Sequence, residues 1–125
     1  MGSMQTPFHN KQATPDSHGL AGLSQEGLRL YQANQFEAAA AKFELGLQKA
    51  PKDAGLHFNL GLCYEKLGRW AEAGDAFEHS TRTAQDAFDG YVGLGIALLH
   101  QEKPEEALPC FDAALASHRN RGALL

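Results

Sequence analysis

Few side chains in this 125-residue chain could do covalent or metal chemistry. Six histidines stand at positions 9, 18, 57, 79, 100 and 118. None falls in the His-Glu-x-x-His or His-x3-His spacing that turns two imidazoles toward one metal. Cys63 and Cys110 are far apart and outside any Cys-x-x-Cys pattern, so neither a zinc site nor a disulfide framework is indicated. They read as small apolar packers on helices, in a reducing compartment. Glu105 and Glu106 would need a cleft to act as an acid–base pair. They follow Pro104 instead, where a helix start favours acidic residues beside the positive end of its dipole. The stretch Gly93-Leu94-Gly95-Ile96-Ala97 has two glycines but belongs to a repeated helical position, not to a phosphate-cradling loop. The expectation is recognition without catalysis: no catalytic residue, no metal, no cofactor.

Bulk composition narrows what could be recognised. With 43% apolar and 21% charged residues the chain is that of a globular domain with one modest core. A net charge of −4 and a pI near 5.8 supply no basic field, so nucleic acid and anionic membrane surfaces are not expected partners. No apolar run approaches the roughly 18 residues of a membrane span, and the charged-then-apolar order of a signal peptide is missing. A cytoplasmic setting is expected. Met1-Gly2-Ser3 before Met4 looks like an expression scar, and residues 4 to 19, with Pro7 and Pro15 and no periodicity, read as a disordered lead-in.

The elements that would position a binding surface begin at Leu20. From there to about Ser117 apolar residues recur every three or four positions, without a strand-like alternation, which predicts an all-α fold. Sliding the sequence against itself by 34 residues aligns Gly27, Gly61 and Gly95; Ala39, Ala73 and Ala107; and Phe43, Phe77 and Phe111. Leu28, Leu62 and Ile96 align as well, as do Leu30, Tyr64 and Leu98, and the small residues Gly46, Ser80 and Ala114. Repeats are therefore expected over 20–53, 54–87 and 88–121. Each is a pair of helices of about 13 or 14 residues hinged at the turn signals ANQF (33–36), LGRW (67–70) and QEKP (101–104).

This pattern resembles the tetratricopeptide repeat, W-x2-L-G-x2-Y then A-x3-F then P over 34 residues. The middle repeat carries Leu60-Gly61-x2-Tyr64 and Ala73-x3-Phe77. The third carries Leu94-Gly95-x2-Leu98 and Ala107-x3-Phe111, and the first has Gly27, Ala39, Phe43 and Pro51. His57 takes a place that aromatic residues often fill. Glu26 stands in place of the first Leu, and Gln85 and Arg119 in place of the closing Pro. The resemblance covers 102 of 125 residues and implies a right-handed α-solenoid of three helix-turn-helix units. Small residues would let helices approach while the Phe ladder fills the seam between them. Truncating any one Phe is then expected to cost roughly 3–5 kcal/mol.

The resemblance also implies where function lies: on first helices, lining a concave face that binds a protein or peptide partner. Mapped here, that face comprises Ser24, Leu28, Tyr31 and Gln32, then Phe58, Asn59, Leu62, Glu65 and Lys66, then Asp89, Val92, Ile96, Leu99 and His100. Leu28, Tyr31, Phe58, Leu62, Val92, Ile96 and Leu99 would supply apolar anchors for an extended peptide or amphipathic helix. Asn59 would bond its backbone, with Glu65 and Asp89 alongside. Part of that apolar set could instead finish the core. Family members that hold the C-terminal carboxylate of heat-shock chaperones use Lys and Asn on the first inner helix, Asn on the second, and Lys and Arg on the third, where this chain has Ser24 and Leu28, then Asn59, then Asp89 and Gly93. Only Asn59 matches their clamp, so that ligand is not expected. Residues 122–125 fall where another first helix would begin, and no polar capping helix is visible. Two outcomes fit: an array that continues in a longer protein, leading to a further domain such as an enzyme that this one regulates or targets, or self-association through a sticky face on the helix around Pro109 to Ser117.

Overall fold

The computed structural model describes the backbone of residues 19–123 and the side chains through residue 119. Apart from Gly19, the expected lead-in lies outside the described residues. Apolar spacing of three and four residues becomes six helices: α1 (Leu20–Gln32), α2 (Phe36–Lys49), α3 (Ala54–Lys66), α4 (Trp70–Thr83), α5 (Phe88–His100) and α6 (Pro104–Ala123). No strand occurs among the described residues. First helices start at 20, 54 and 88 and second helices at 36, 70 and 104, so both sets advance by 34 residues.

The turns inside the pairs share one mechanism. Asn34, Gly68 and Glu102 adopt left-handed backbone, with φ of 62°, 74° and 62°. That twist lets the next residue donate back into the helix: Gln35 N–H to the Leu30 carbonyl, Arg69 to Tyr64 and Lys103 to Leu98, all at 2.9 Å. This is the hydrogen-bond pattern of a helix ended by a left-handed residue. Between the first two pairs, the Asp53 carboxylate caps α3 by accepting from Leu56 N–H at 3.0 Å.

Consecutive helices pack antiparallel, and glycine sets how closely. A Cβ added at Gly27 would stand 2.5 Å from the Phe43 ring, at Gly61 2.7 Å from Phe77, and at Gly95 2.6 Å from Phe111. Within each pair the ring of the second helix therefore occupies the space of the missing side chain of the first. Phe43 and Phe77 are 0% and 1% exposed, with Ala39, Ala73 and Cys63 fully buried beside them. Phe111 is only half-buried because no further pair covers α6 among the described residues, so the expectation of an equal cost along the Phe ladder is corrected downward at Phe111.

A second correction concerns the end of the array. Residues 122 and 123 do not open a new helix; they continue α6, which runs 20 residues where α2 and α4 run 14. Arg119 stands where Pro51 follows α2, so no proline closes the helix there; Pro109, inside α6, removes one backbone donor without ending it. The ring of His118 packs on Phe88 at 5.7 Å, which holds the added turn against α5.

Candidate interaction groove

The first helices α1, α3 and α5 touch one another side by side, whereas α2, α4 and α6 meet only their chain neighbours. Closer spacing along one layer curves the stack toward it, so the first helices form the inner side. Each expected groove residue can be placed on that layer. Leu28 and Leu99 are 44% and 49% exposed, and Asp89 is exposed. Tyr31, Phe58, Asn59, Leu62, Glu65, Val92 and Ile96 are half-buried.

Two physical roles divide this set. Phe58 packs on Phe77 with ring centroids 5.5 Å apart, and Leu62 joins it against the Ala73–Phe77–Ala97 cluster. Tyr31 meets the edge of Phe36 at 5.2 Å and packs on the core around Phe43. These three side chains close the core from the inner side while keeping part of their surface open. Leu28 and Leu99, by contrast, lie against solvent. The Tyr31 hydroxyl is pushed above its ordinary pKa of 10.0 by burial first, then by the Cys63 thiol and the Glu65 carboxylate, which places Tyr31 and Glu65 in one electrostatic neighbourhood across α1 and α3.

Phe58 and Asp89 also share an open cleft of about 200 Å³ between the start of α3, the end of α4 and the start of α5. Its other walls are Ala54, Gly55, Ser80, Ala84, Asp86, Ala87 and Gly90, of which the sequence marked only Ser80, as a small residue of the 34-residue ladder. The signal lay in Gly90, where a Cβ would stand 2.6 Å from Ser80 Oγ. Ser80 itself is buried and donates to the Phe77 carbonyl at 2.7 Å. Leu28, Tyr31, Asn59, Leu62, Glu65, Val92, Ile96 and Leu99 do not line the cleft.

The histidines and cysteines take packing roles. His57 stacks on His79 at 4.8 Å and bonds the Pro51 carbonyl through Nε2 at 2.8 Å. His100 stacks flat on Trp70 at 3.7 Å, between the end of α5 and the start of α4. His9 and His18 lie outside the described residues. Both cysteines are free thiols; burial pushes Cys63 up from 9.0 to about 11, and Cys110 is raised by burial, then by Glu78 and Glu106. Thiols held protonated in this way make poor nucleophiles. No group of three or more potential metal ligands occurs among the described residues, and no helix there is long and apolar enough to cross a membrane.

Comparison with known proteins agrees with this geometry. No curated protein matches the sequence. Among solved structures, a crystal structure of MamA superposes with a TM-score of 0.82 at 19% identity, covering 86% of this chain and 63% of that one. MamA from Desulfovibrio magneticus RS-1 gives 0.76 at 18% identity over 82% of this chain and 58% of that one. This chain therefore spans less than two thirds of those MamA chains. The first tetratricopeptide domain of Spaghetti (RPAP3), bound to the HSP90 peptide SRMEEVD, gives 0.76 at 21% identity, covering 84% of this chain and 83% of that one. At such identities the likeness is one of fold. The tetratricopeptide repeat family model matches residues 24–88, about half of the sequence, and with the paired helices at 34-residue spacing it places this chain in the tetratricopeptide repeat family.

Proposed function

We propose that the chain is a non-catalytic interaction module whose inner face holds a partner segment against Leu28, Phe58, Leu62, Ile96 and Leu99. The observation that carries this reading is the exposure of Leu28 and Leu99 at the two ends of an inner layer whose other apolar residues stay partly open. Water-exposed apolar surface continuous with a half-open core favours a ligand that covers it. The side chain of Asn59 makes no hydrogen bond among the described residues and is half-open, so it can serve the backbone of an extended peptide. Glu65, Asp86 and Asp89 make the adjoining charge negative, which favours a segment carrying Lys or Arg beside its apolar anchors. An acidic peptide such as the SRMEEVD segment bound to the RPAP3 domain fits poorly. Asp89 would repel it, and a side chain at Gly93 would start 2.9 Å from the Phe77 ring. Free thiols at Cys63 and Cys110 agree with a reducing, cytoplasmic setting.

A peptide-display selection on the immobilised chain tests this reading. Enriched peptides should combine apolar anchors with basic residues. Leu28→Glu with Leu99→Glu should weaken them about tenfold or more at unchanged helical circular dichroism. Leu62 is a poorer probe, because its packing against Phe77 mixes fold with binding. Enrichment of acidic C-terminal peptides, or binding indifferent to both leucines, would sink the groove assignment.

A further inference from the structure

The α6 surface repeats, with a change, a surface that is covered one repeat earlier. On α4, a Cβ at Gly74 would meet Leu94 at 3.6 Å and Ala97 at 3.7 Å, and Thr81 lies 2.9 Å from a Cβ built on Gly90, so α5 covers both positions. Thirty-four residues on, these places are Leu108 and Leu115, which are 62% and 55% exposed. No described element covers them. We propose that this face binds a second copy of the chain, α6 against α6, in an antiparallel two-fold dimer.

Two observations choose that occupant. At the other end of the array, the positions matching Leu94 and Ala97 are Glu26 and Arg29. Glu26 pairs with Arg29 at 3.4 Å and with Lys42 at 3.5 Å. Head-to-tail stacking would bury those charges against leucine, a costly desolvation, so copies do not join end to end. The α6 stripe, in contrast, complements itself. Glu105, Leu108, Asp112, Leu115 and Arg119 recur at alternating steps of three and four and share one helical face of roughly 21 Å. It is acidic at one end and basic at the other. A reversed copy therefore sets Leu108 against Leu115 and Glu105 against Arg119, the same surface on both protomers. Asp112 sits near the two-fold axis beside its own counterpart, and this repulsion keeps the dimer weak. The proposal does not depend on the groove reading, which uses α1, α3 and α5.

Sedimentation equilibrium of the whole chain, from micromolar to millimolar, tests it. A monomer–dimer equilibrium without larger species is expected. Leu108→Glu with Leu115→Glu should weaken it about a hundredfold at unchanged circular dichroism. Glu105→Arg should weaken it about tenfold, and adding Arg119→Glu should restore it. Asp112→Asn should tighten it by about tenfold. A chain that stays monomeric at millimolar concentration, an open-ended series of oligomers, or affinity indifferent to Asp112→Asn and to the charge reversal would each overturn the proposal. A strict monomer would leave the face to a helix of different sequence.

Discussion

At single positions, glycine does two unlike things in these helices. Gly61 is demanded by contact: a methyl group there would stand 2.7 Å from the Phe77 ring. The resulting overpacking of about 1–3 kcal/mol exceeds the helix propensity, about 1 kcal/mol, that alanine would add. Gly74 is demanded by nothing, since the same methyl would find ordinary van der Waals neighbours at 3.6 Å and beyond. Urea denaturation should therefore show Gly61→Ala destabilised and Gly74→Ala stabilised by about 0.5–1 kcal/mol. Matching losses at both sites would contradict this. A parallel case is Glu102, whose φ of 62° puts a side chain where its counterpart Gly68 carries none. Glu102→Gly should stabilise the chain by up to about 1 kcal/mol. The difference between Gly61 and Gly74 was half legible in sequence: the ladder through Gly27 and Gly95 marked the first as structural. The space around Gly74 depends on Leu94, Ala97 and Gln101 of the next pair, which no local pattern encodes.

At the scale of elements, legibility followed the range of the interaction that fixes each feature. The six helix starts were readable because turn residues and apolar periodicity are local, and the 34-residue offset checked each pair against the others. The length of α6 was not, because it reflects the packing of His118 on Phe88, a contact between residues 30 apart. In the groove, sequence marked the inner layer but could not separate core-closing Phe58 and Leu62 from solvent-facing Leu28 and Leu99. That division depends on where Phe77 points. Within α3, Cys63 and Tyr64 offer a test of burial through pH. The thiol is raised by burial to about 11. The phenol is raised by burial, then by its hydrogen bond to Glu44 and the charge of that carboxylate. Each folded group holds its proton above the pH at which the unfolded chain releases it. The thiol's contribution is complete below pH 9.0, its ordinary value, and is lost as pH rises through about 11, while the phenol's persists to higher pH. Thermal unfolding across that window should show falling stability. Cys63→Ala should be weaker at neutral pH yet lose less on the alkaline side, and an unchanged slope would refute a buried, protonated thiol.

Across the whole molecule, each helix pair contacts only its neighbours, so stability is a sum of pair and interface terms. The middle pair has two interfaces and the outer pairs one each. Burial along the Phe ladder follows from this: Phe43 and Phe77 are sealed at 0% and 1% exposed, while Phe111 on α6 is half-open. Phe77→Ala removes a ring that Gly61, Gly93 and Phe58 all rest on. It should cost about 3–5 kcal/mol, enough to unfold so small an array. Phe111→Ala breaks a single interface already open on one side, so it should cost less and act locally. Amide hydrogen exchange at concentrations that keep the chain monomeric distinguishes the two cases. In the wild type, protection should be greatest in α3 and α4 and least in the last turns of α6. In Phe111→Ala, α6 and the facing side of α5 should lose protection while α1 to α4 keep theirs. Phe77→Ala should instead lower protection in every helix together. If Phe111→Ala lowered all six helices equally, the array would be one cooperative unit and the additive picture would fail.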